Sequence, residues 1–415
     1  MLERPISKAG WRRVAFGDVV RKVNDKVDPW DSGLERYVAG EHMDTDDLRI
    51  RRWGLIGDDY LGPAFHMRFK PGHVLYGSRR TYLRKVALAD FEGITANTTF
   101  VLETKDPARL MPDLLPFLMQ TEAFHSYSIK HSKGSVNPYI NFSDLEAFEF
   151  LLPPIQEQAR LVEALSASEA IKYAFDAAID ALIATKAATE KEVISRPLNL
   201  PEGKPDLAKA KPEDGWRILT GQDLLDFGYL AALQDGNHGS QYPTASELGS
   251  VGYPYLSATD ITDDGEIDLE SCRRIRPERA TALRIPPAQT GDIVLSHNAT
   301  VGRVTRLPEW PTPIVASTST TYYRCNSENL DPDYLRWFLE SSVFKYQLST
   351  IMRQSTRNQV PITTQKRLLF AIPGRELQAE LSSLRDKFVL RLKALQARKA
   401  SAQALQKKIL EAALV

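Results

Sequence analysis

Four short stretches carry the residue types that could do chemistry, and the chemistry they suit is recognition. "GSRRTYLRK" (Gly77 to Lys85) holds Arg79, Arg80, Tyr82, Arg84 and Lys85 after an apolar run. A guanidinium can fork to a guanine edge or clamp a phosphate, and a tyrosine can stack or bond a phosphate. "SHNATVGR" (Ser296 to Arg303) offers His297, Asn298, Thr300 and Arg303, with a glycine that permits close backbone approach. "KHSKGSVN" (Lys130 to Asn137) brings Lys130, Lys133 and Asn137, and "MRQSTRNQ" (Met352 to Gln359) brings Arg353, Arg357 and Asn358. Taken singly, each is most simply a solvated turn. Their matching places in two halves of the chain turn them toward nucleic-acid contact.

Catalytic patterns are missing. The chain has no G-x-x-x-x-G-K-[ST] phosphate loop, no G-x-G-x-x-G, no H-E-x-x-H and no G-x-S-x-G, and its seven histidines are scattered. "VNPYINF" (Val136 to Phe142) is a near miss for the Asn-Pro-Pro-aromatic motif of amino-methyltransferases. With one proline and no Gly-rich loop before it, it reads as a turn. Asp292 and Asp144 read as turn or helix-cap residues. No catalytic residue and no metal ligand set is expected.

The elements that must position the four loops repeat. "FLLPPIQEQARLVEAL" (Phe150 to Leu165) reads as strand, stop, helix, because proline cannot donate to a ladder and the residues after it are good helix formers. "LLFAIPGRELQAEL" (Leu368 to Leu381) does the same. An offset of 220 places Pro153 on Pro373, Gln158 on Gln378, Pro112 on Pro332 and Phe124 on Phe344. Gly72 and Gly291 are offset by 219, but Gly10-Trp11 and Gly215-Trp216 by only 205. The halves share a frame, while the segments just after each Gly-Trp differ in length.

Each half is expected to be a mixed α/β globular stretch followed by one long helix. The divisions are 1–154, a central helix over 155–195, a proline-rich linker over 196–214, a second globular stretch over 215–373, and a C-terminal helix over 374–415. Heptad spacing runs through Leu377, Leu381, Leu384, Phe388, Leu395, Leu405 and Ile409. A weaker seam on the first helix includes Ile171, Phe175 and Leu182, with Gln158, Leu161 and Leu165 at its start. From Ile155 to Ser195 there are four basic and seven acidic residues; from Arg375 to Val415 there are nine basic and four acidic. An acidic and a basic helix are expected to pair with each other, charge setting partner choice more than stability. Helices of about 40 residues would be about 60 Å long and would act as a rigid spacer.

Bulk properties fit this. A chain of 415 residues calls for two or three domains, and 43% hydrophobic with 26% charged residues is a globular composition. Two cysteines, Cys272 and Cys325, exclude a disulfide framework and suit the cytoplasm. No apolar run is long enough for a membrane helix, and the N-terminus lacks a signal-peptide core. A formal net charge of zero counts mildly against a free-standing DNA binder.

With these residues in view, the chain resembles the specificity subunit of type I restriction–modification systems. The most diagnostic stretches are "NFSDLEAFEFLLPPIQEQARLVEAL" and "ITTQKRLLFAIPGRELQAEL", with "TGDIVLSHNATVGRV" also similar. The second junction departs from the pattern, with Pro-Gly for Pro-Pro and Leu377-Gln378 for Glu157-Gln158. The resemblance implies two target recognition domains, each reading one half of an asymmetric, bipartite site in double-stranded DNA. It implies an antiparallel coiled coil that sets the gap and docks two methyltransferase subunits. Those partners would hold S-adenosylmethionine and methylate adenine, this chain having no cofactor, and a restriction and translocation subunit could join through them. The rival reading is a coiled-coil scaffold of another DNA-modification defence complex without direct base readout.

Overall fold

The computed structural model describes residues 8–58, 61–201, 203–236, 239–353 and 358–414. The chain folds into two compact units, Met1–Ala178 with Leu395–Val415, and Ile179–Ala394. Each unit therefore takes one globular half, the start of the helix that follows it, and the end of the other helix.

In the first unit Arg12–Ala15 pairs antiparallel with Glu149–Leu152, closing the globular part on itself. A four-stranded antiparallel sheet runs in the order Val20–Lys22, Thr99–Thr104, Val74–Gly77, Val86–Leu88. Its strands alternate or run apolar through both faces. Val74, Tyr76, Val86, Phe100 and Leu102 meet Phe117, Leu118 and Phe124 on one side, and Leu75, Ala87 and Val101 meet Val38, Met67 and Phe69 on the other. A second four-stranded sheet has the order Gly54–Leu55, Arg36–Val38, Gly93–Ala96, Phe65–Phe69, its central pair parallel.

The second unit repeats the plan. Trp216–Thr220 pairs with Leu369–Pro373, and the main sheet runs Leu230–Asp235, Thr320–Cys325, Ile293–Ser296, Val304–Arg306. The smaller sheet differs: Leu248–Gly249, Arg274–Ile275, Tyr253–Leu256, Val315–Ala316, with the parallel pair at its edge.

The helix starts are pinned alike in both. Gln158 and Gln378 are buried, so neither faces a partner as expected for Gln158. Gln158 accepts from Met111 N at 2.9 Å and donates to the carbonyls of Arg109 and Pro153 at 2.8 and 2.9 Å. Gln378 accepts from Asp331 N at 2.8 Å and donates to Asn329 O and Pro373 O at 3.3 and 2.9 Å. One amide thus satisfies three backbone groups that would otherwise be buried without partners. The helix that begins there is fixed to its own globular half.

The long helices span Ile155–Glu190 and Arg375–Leu414. In the first unit Gln406 Nε2 donates to Glu169 Oε2 at 2.6 Å, and Lys399 pairs with Asp176. One helix ascends in number as the other descends, so they run antiparallel, with the basic Lys399 of the second meeting the acidic Asp176 of the first. In the second unit Lys186 and Arg385 converge on Glu340, joined by Arg336. Burial would raise the Glu340 carboxyl; Arg385, Arg336 and Lys186 outweigh it and hold it low. The far end of each helix also clasps a globular half. Glu411 Oε1 accepts from Glu122 N at 2.8 Å, and Glu190 Oε1 accepts from Ser342 N at 2.7 Å, both at the first turn of a helix where negative charge is favoured.

The seam differs from the spacing read in the sequence. Leu381 and Phe388 are buried, and Leu377, Leu384, Leu395 and Ile409 are half-buried. Between them Arg385 and Gln406 are buried, while Leu405 is 55% exposed. On the first helix Leu165 is buried and Leu161, Phe175 and Leu182 half-buried, but Ile171 is exposed and Glu169 and Lys172 are buried instead. The stretch 196–214 is no free tether. Leu198 and Leu207 sit in the second unit's core, and Lys211 N and Glu213 N donate to Leu198 O and Pro197 O at 2.9 and 2.8 Å. No described helix is long and apolar enough to cross a membrane.

Candidate nucleic-acid interface

The two predicted loops of the first half come together at the end of the main sheet. After Gly77 the chain leaves its strand, and Ser78 donates from N and Oγ to Thr98 O at 3.0 and 2.7 Å. Ile140 N donates to Ser78 O at 3.0 Å and Arg80 N to Pro138 O at 2.6 Å, laying the 130–139 loop along the 79–83 turn. That loop is closed by reciprocal bonds between Lys133 and Tyr139, so the stretch around Asn137 is the turn the sequence suggested. Thr81 Oγ1 and Ser132 Oγ lie 2.7 Å apart and tie the two loops again.

Six predicted side chains are exposed along this edge: Arg79, Arg80, Tyr82, Lys130, Lys133 and Asn137. The Arg79 guanidinium lies 4.6 Å from the Tyr139 ring centroid, a cation–π contact that orients it. Tyr139 went unnoticed in the sequence because its neighbours read as a plain turn; an aromatic beside Asn-Pro in a basic loop was the available signal. Among the described residues, Arg79, Arg80 and Lys130 have no carboxylate partner.

Three predicted contacts are tied to other groups of the protein: Arg84 and Lys85 are half-buried, and Lys133 is exposed. Arg84 pairs with Asp46 at 2.9 Å and Glu122 at 3.0 Å, and Lys133 with Asp144 at 2.8 Å. Lys85 donates to Gly40 O, and burial with the neighbouring Arg80 charge lowers its ammonium. Arg84 and Lys133 are thus ion-paired within the protein, unlike Arg79, Arg80 and Lys130. Asp144 also caps its helix by accepting from Asn141 N.

The second half builds the same junction. His297 N donates to Ser319 O at 2.9 Å, Val360 N to His297 O at 2.8 Å, and Ala299 N to Asn358 O at 3.1 Å. Arg79 bridges to Tyr139 in the first half, and Asn298 bridges to Gln359 in the second. Asn298 and Thr300 are half-buried at this edge, and Arg353 and Asn358 are exposed; Arg357 lies outside the described residues.

His297 is not a reading residue. It is buried, with Nδ1 2.8 Å from Thr321 Oγ1, in a network where Gln365 donates to Thr321 Oγ1 and accepts from Tyr323 OH. Burial lowers its imidazole pKa. Arg303 donates to Asp263 Oδ1 at 2.7 Å and to Ile261 O at 2.8 Å, which makes it a structural clamp. Asp292 accepts from Gln289 N in a turn, as expected, and also from Arg324 at 3.0 and 2.8 Å.

Neither cysteine is set up as a nucleophile. Burial pushes the Cys272 and Cys325 thiols up to about 12. Among the described residues no three His, Cys, Asp or Glu side chains group as metal ligands.

Residues 14–183 match the family described as type I restriction modification DNA specificity domain. The EcoDI type I restriction enzyme specificity subunit of Escherichia coli is 25% identical over 160 residues, 39% of this chain and 35% of that protein. The MjaVIII specificity subunit of Methanocaldococcus jannaschii is 23% identical over 267 residues, 63% of this chain and 59% of that one. The chain thus spans about a third and three fifths of the two relatives' lengths. A type I system chain, solved in work on complex assembly and conformational transition, shares the fold at TM-score 0.58 and 19% identity over 98% of both chains. The S subunit from M. genitalium does so at TM-score 0.55 and 13% identity, over 99% of this chain and 97% of that one. Residues 14–183 thus carry a type I restriction modification DNA specificity domain, and the fold of the chain is similar to that of the solved type I system S subunits.

Proposed function

We propose that the chain is the DNA-specificity subunit of a type I restriction–modification complex, each globular half reading one half of an asymmetric bipartite site in double-stranded DNA. One observation carries this reading: the same hydrogen-bonded two-loop edge is built twice, with the same backbone joints and different side chains. A repeated frame with divergent side chains is what reading two unlike half-sites requires. The first edge presents unpaired cations beside Tyr82 and Tyr139. The second presents Asn298, Thr300 and Asn358 with Arg353. The chain itself is non-catalytic in this reading and acts in the cytoplasm.

The paired helices would set the gap between half-sites and dock two methyltransferase subunits, which would bind S-adenosylmethionine and methylate adenine. A restriction subunit would join through them. Exposed apolar side chains on the helices, Ile171 and Leu405 in the first unit and Ile183 and Leu390 in the second, support a protein partner there. Partner subunits supplying phosphate contacts would also reconcile DNA binding with a net charge of zero. The test is a genome-wide map of N6-methyladenine in the native host with the chain intact and deleted. A split, asymmetric motif should vanish on deletion; an unchanged map in a host that methylates such a motif would overturn the reading.

A further inference from the structure

Five described residues other than glycine hold a positive φ: Asp46, Arg80, Arg84, Asn199 and Ala299. Side chains with a Cβ resist this left-handed backbone, and where it persists the surroundings must enforce it. Only two of the five occupy equivalent places in the repeat. Arg80 has φ +49° and Ala299 has φ +62°, and they are 219 positions apart, the offset that relates Gly72 to Gly291. The enforcement is also repeated. Arg80 N donates to Pro138 O, and Ala299 N donates to Asn358 O. The residue just before each, Arg79 or Asn298, bridges to the second loop.

Glycine would hold this conformation at no steric cost, yet neither half uses it. Asn or Asp would suit it through local hydrogen bonds, yet neither appears. The fold keeps a strained backbone at the centre of both edges and places there an arginine in one half and an alanine in the other. Both are exposed. The Arg80 side chain has no hydrogen bond or ion pair to another described residue, and its charge instead depresses Lys85 nearby. Backbone need alone does not choose these two residues, so the side chain is what varies for a purpose.

Resting on the DNA-specificity reading above, we propose that this left-handed position carries the base-selecting side chain of each half. Arg80 forks to the O6 and N7 acceptors of a guanine in the first half-site. Ala299 offers only a methyl group, which suits contact with a thymine methyl in the second half-site and demands no guanine there.

Arg80→Gly is the discriminating variant, because glycine keeps the backbone and removes only the side chain. It is placed on the chromosome of the native host, and N6-methyladenine is mapped beside wild type and the deletion. Association with the methyltransferase is checked by co-purification. The expected result is loss of preference for guanine at one position of one half-site, by roughly 5- to 150-fold, with the other half-site unchanged. An unchanged motif would overturn the proposal. So would a uniform weakening at every site with the motif intact, which would make Arg80 a phosphate contact. If wild type and deletion give the same map, the specificity reading itself has failed and this inference falls with it.

Discussion

The two globular halves agree where they are held and differ where they could read. Both main sheets have four strands in the same order, both helix starts are pinned by a glutamine, and both clasping helix ends present a glutamate to a helix N-terminus. The small sheets diverge. In the first unit Phe65–Phe69 flanks the parallel pair, while in the second the pair lies at the edge. This is where the segments after Gly10-Trp11 and Gly215-Trp216 differ in length. A core that must meet the helices tolerates little change. The small sheets are rebuilt between the halves, while the edge loops change side chains on the same backbone joints.

The strongest test of this equivalence is in the cores. Phe124 and Phe344 are fully buried 220 residues apart, each in the first turn of a helix whose hydroxyl cap, Thr121 or Ser341, receives the aromatic residue's own N–H. Phe124→Ala and Phe344→Ala should each cost about 3–5 kcal/mol. Calorimetry combined with hydrogen exchange by unit should show the first variant loosening the first unit and the second variant the second. A variant that loosened both equally would mean the repeat is not an energetic one.

Two buried histidines, at positions the repeat does not relate, distinguish the units by a smaller amount. His125 in the first unit is fully buried with neither ring nitrogen hydrogen-bonded in the described structure, whereas His297 in the second is bonded to Thr321. Burial, with Arg84 and Lys407 nearby and Glu122 opposing them, pushes the His125 imidazole down to about 4; Asp46 lies 3.8 Å away. Below its usual pKa of about 6.5 the unfolded ring takes a proton that the folded ring refuses. Stability is therefore complete above about pH 6.5 and is lost as pH falls toward 4, by about 3 kcal/mol in the first unit. The measurement is therefore a difference. Unfolding of the first unit in wild type should weaken from pH 7.5 to 4 by about 3 kcal/mol more than in His125→Leu. Parallel pH curves would remove His125 as the cause.

Much of this was legible in the sequence because it is local. An apolar run, a proline and a glutamine at fixed spacing announce strand, stop and helix, and their double occurrence gives the repeat. The loops were legible as matching pairs between the halves, but not that the two loops of one half are joined by backbone hydrogen bonds. What stayed hidden depends on tertiary partners. No spacing says that Gln158 and Gln378 bond back to their own globular halves. Arg84 and Arg303 look like free cations until Asp46, Glu122 and Asp263 are brought beside them from 38 to 40 residues away, and Lys133 until the loop folds back onto Asp144. His297 lies in a polar stretch of sequence but under a sheet in space. The left-handed Arg80 is unreadable because arginine is not a residue that announces such a backbone.

The helix seam shows the same limit at its smallest scale, and one substitution measures it. Strict heptads from Leu377 lead to Leu405, but an α-helix advances 3.6 residues per turn, so an inward stripe drifts off a 3.5-residue frame. Here buried Gln406 and Leu410 lie inward, Gln406 bonding Glu169, and Leu405 is 55% exposed. If the sequence frame held, Leu405→Glu would bury a charge and cost several kcal/mol. In the frame observed it should shift unfolding of the isolated chain by no more than about 0.5 kcal/mol. Gln406→Ala in parallel should cost more, because it leaves the buried Glu169 carboxylate with Lys172 but without its amide. The order of these two effects, read from denaturant midpoints, decides which face of the second helix is inside. It also bears on the partner: a Leu405 silent in the isolated chain but required for methyltransferase co-purification would place that subunit on the outer face.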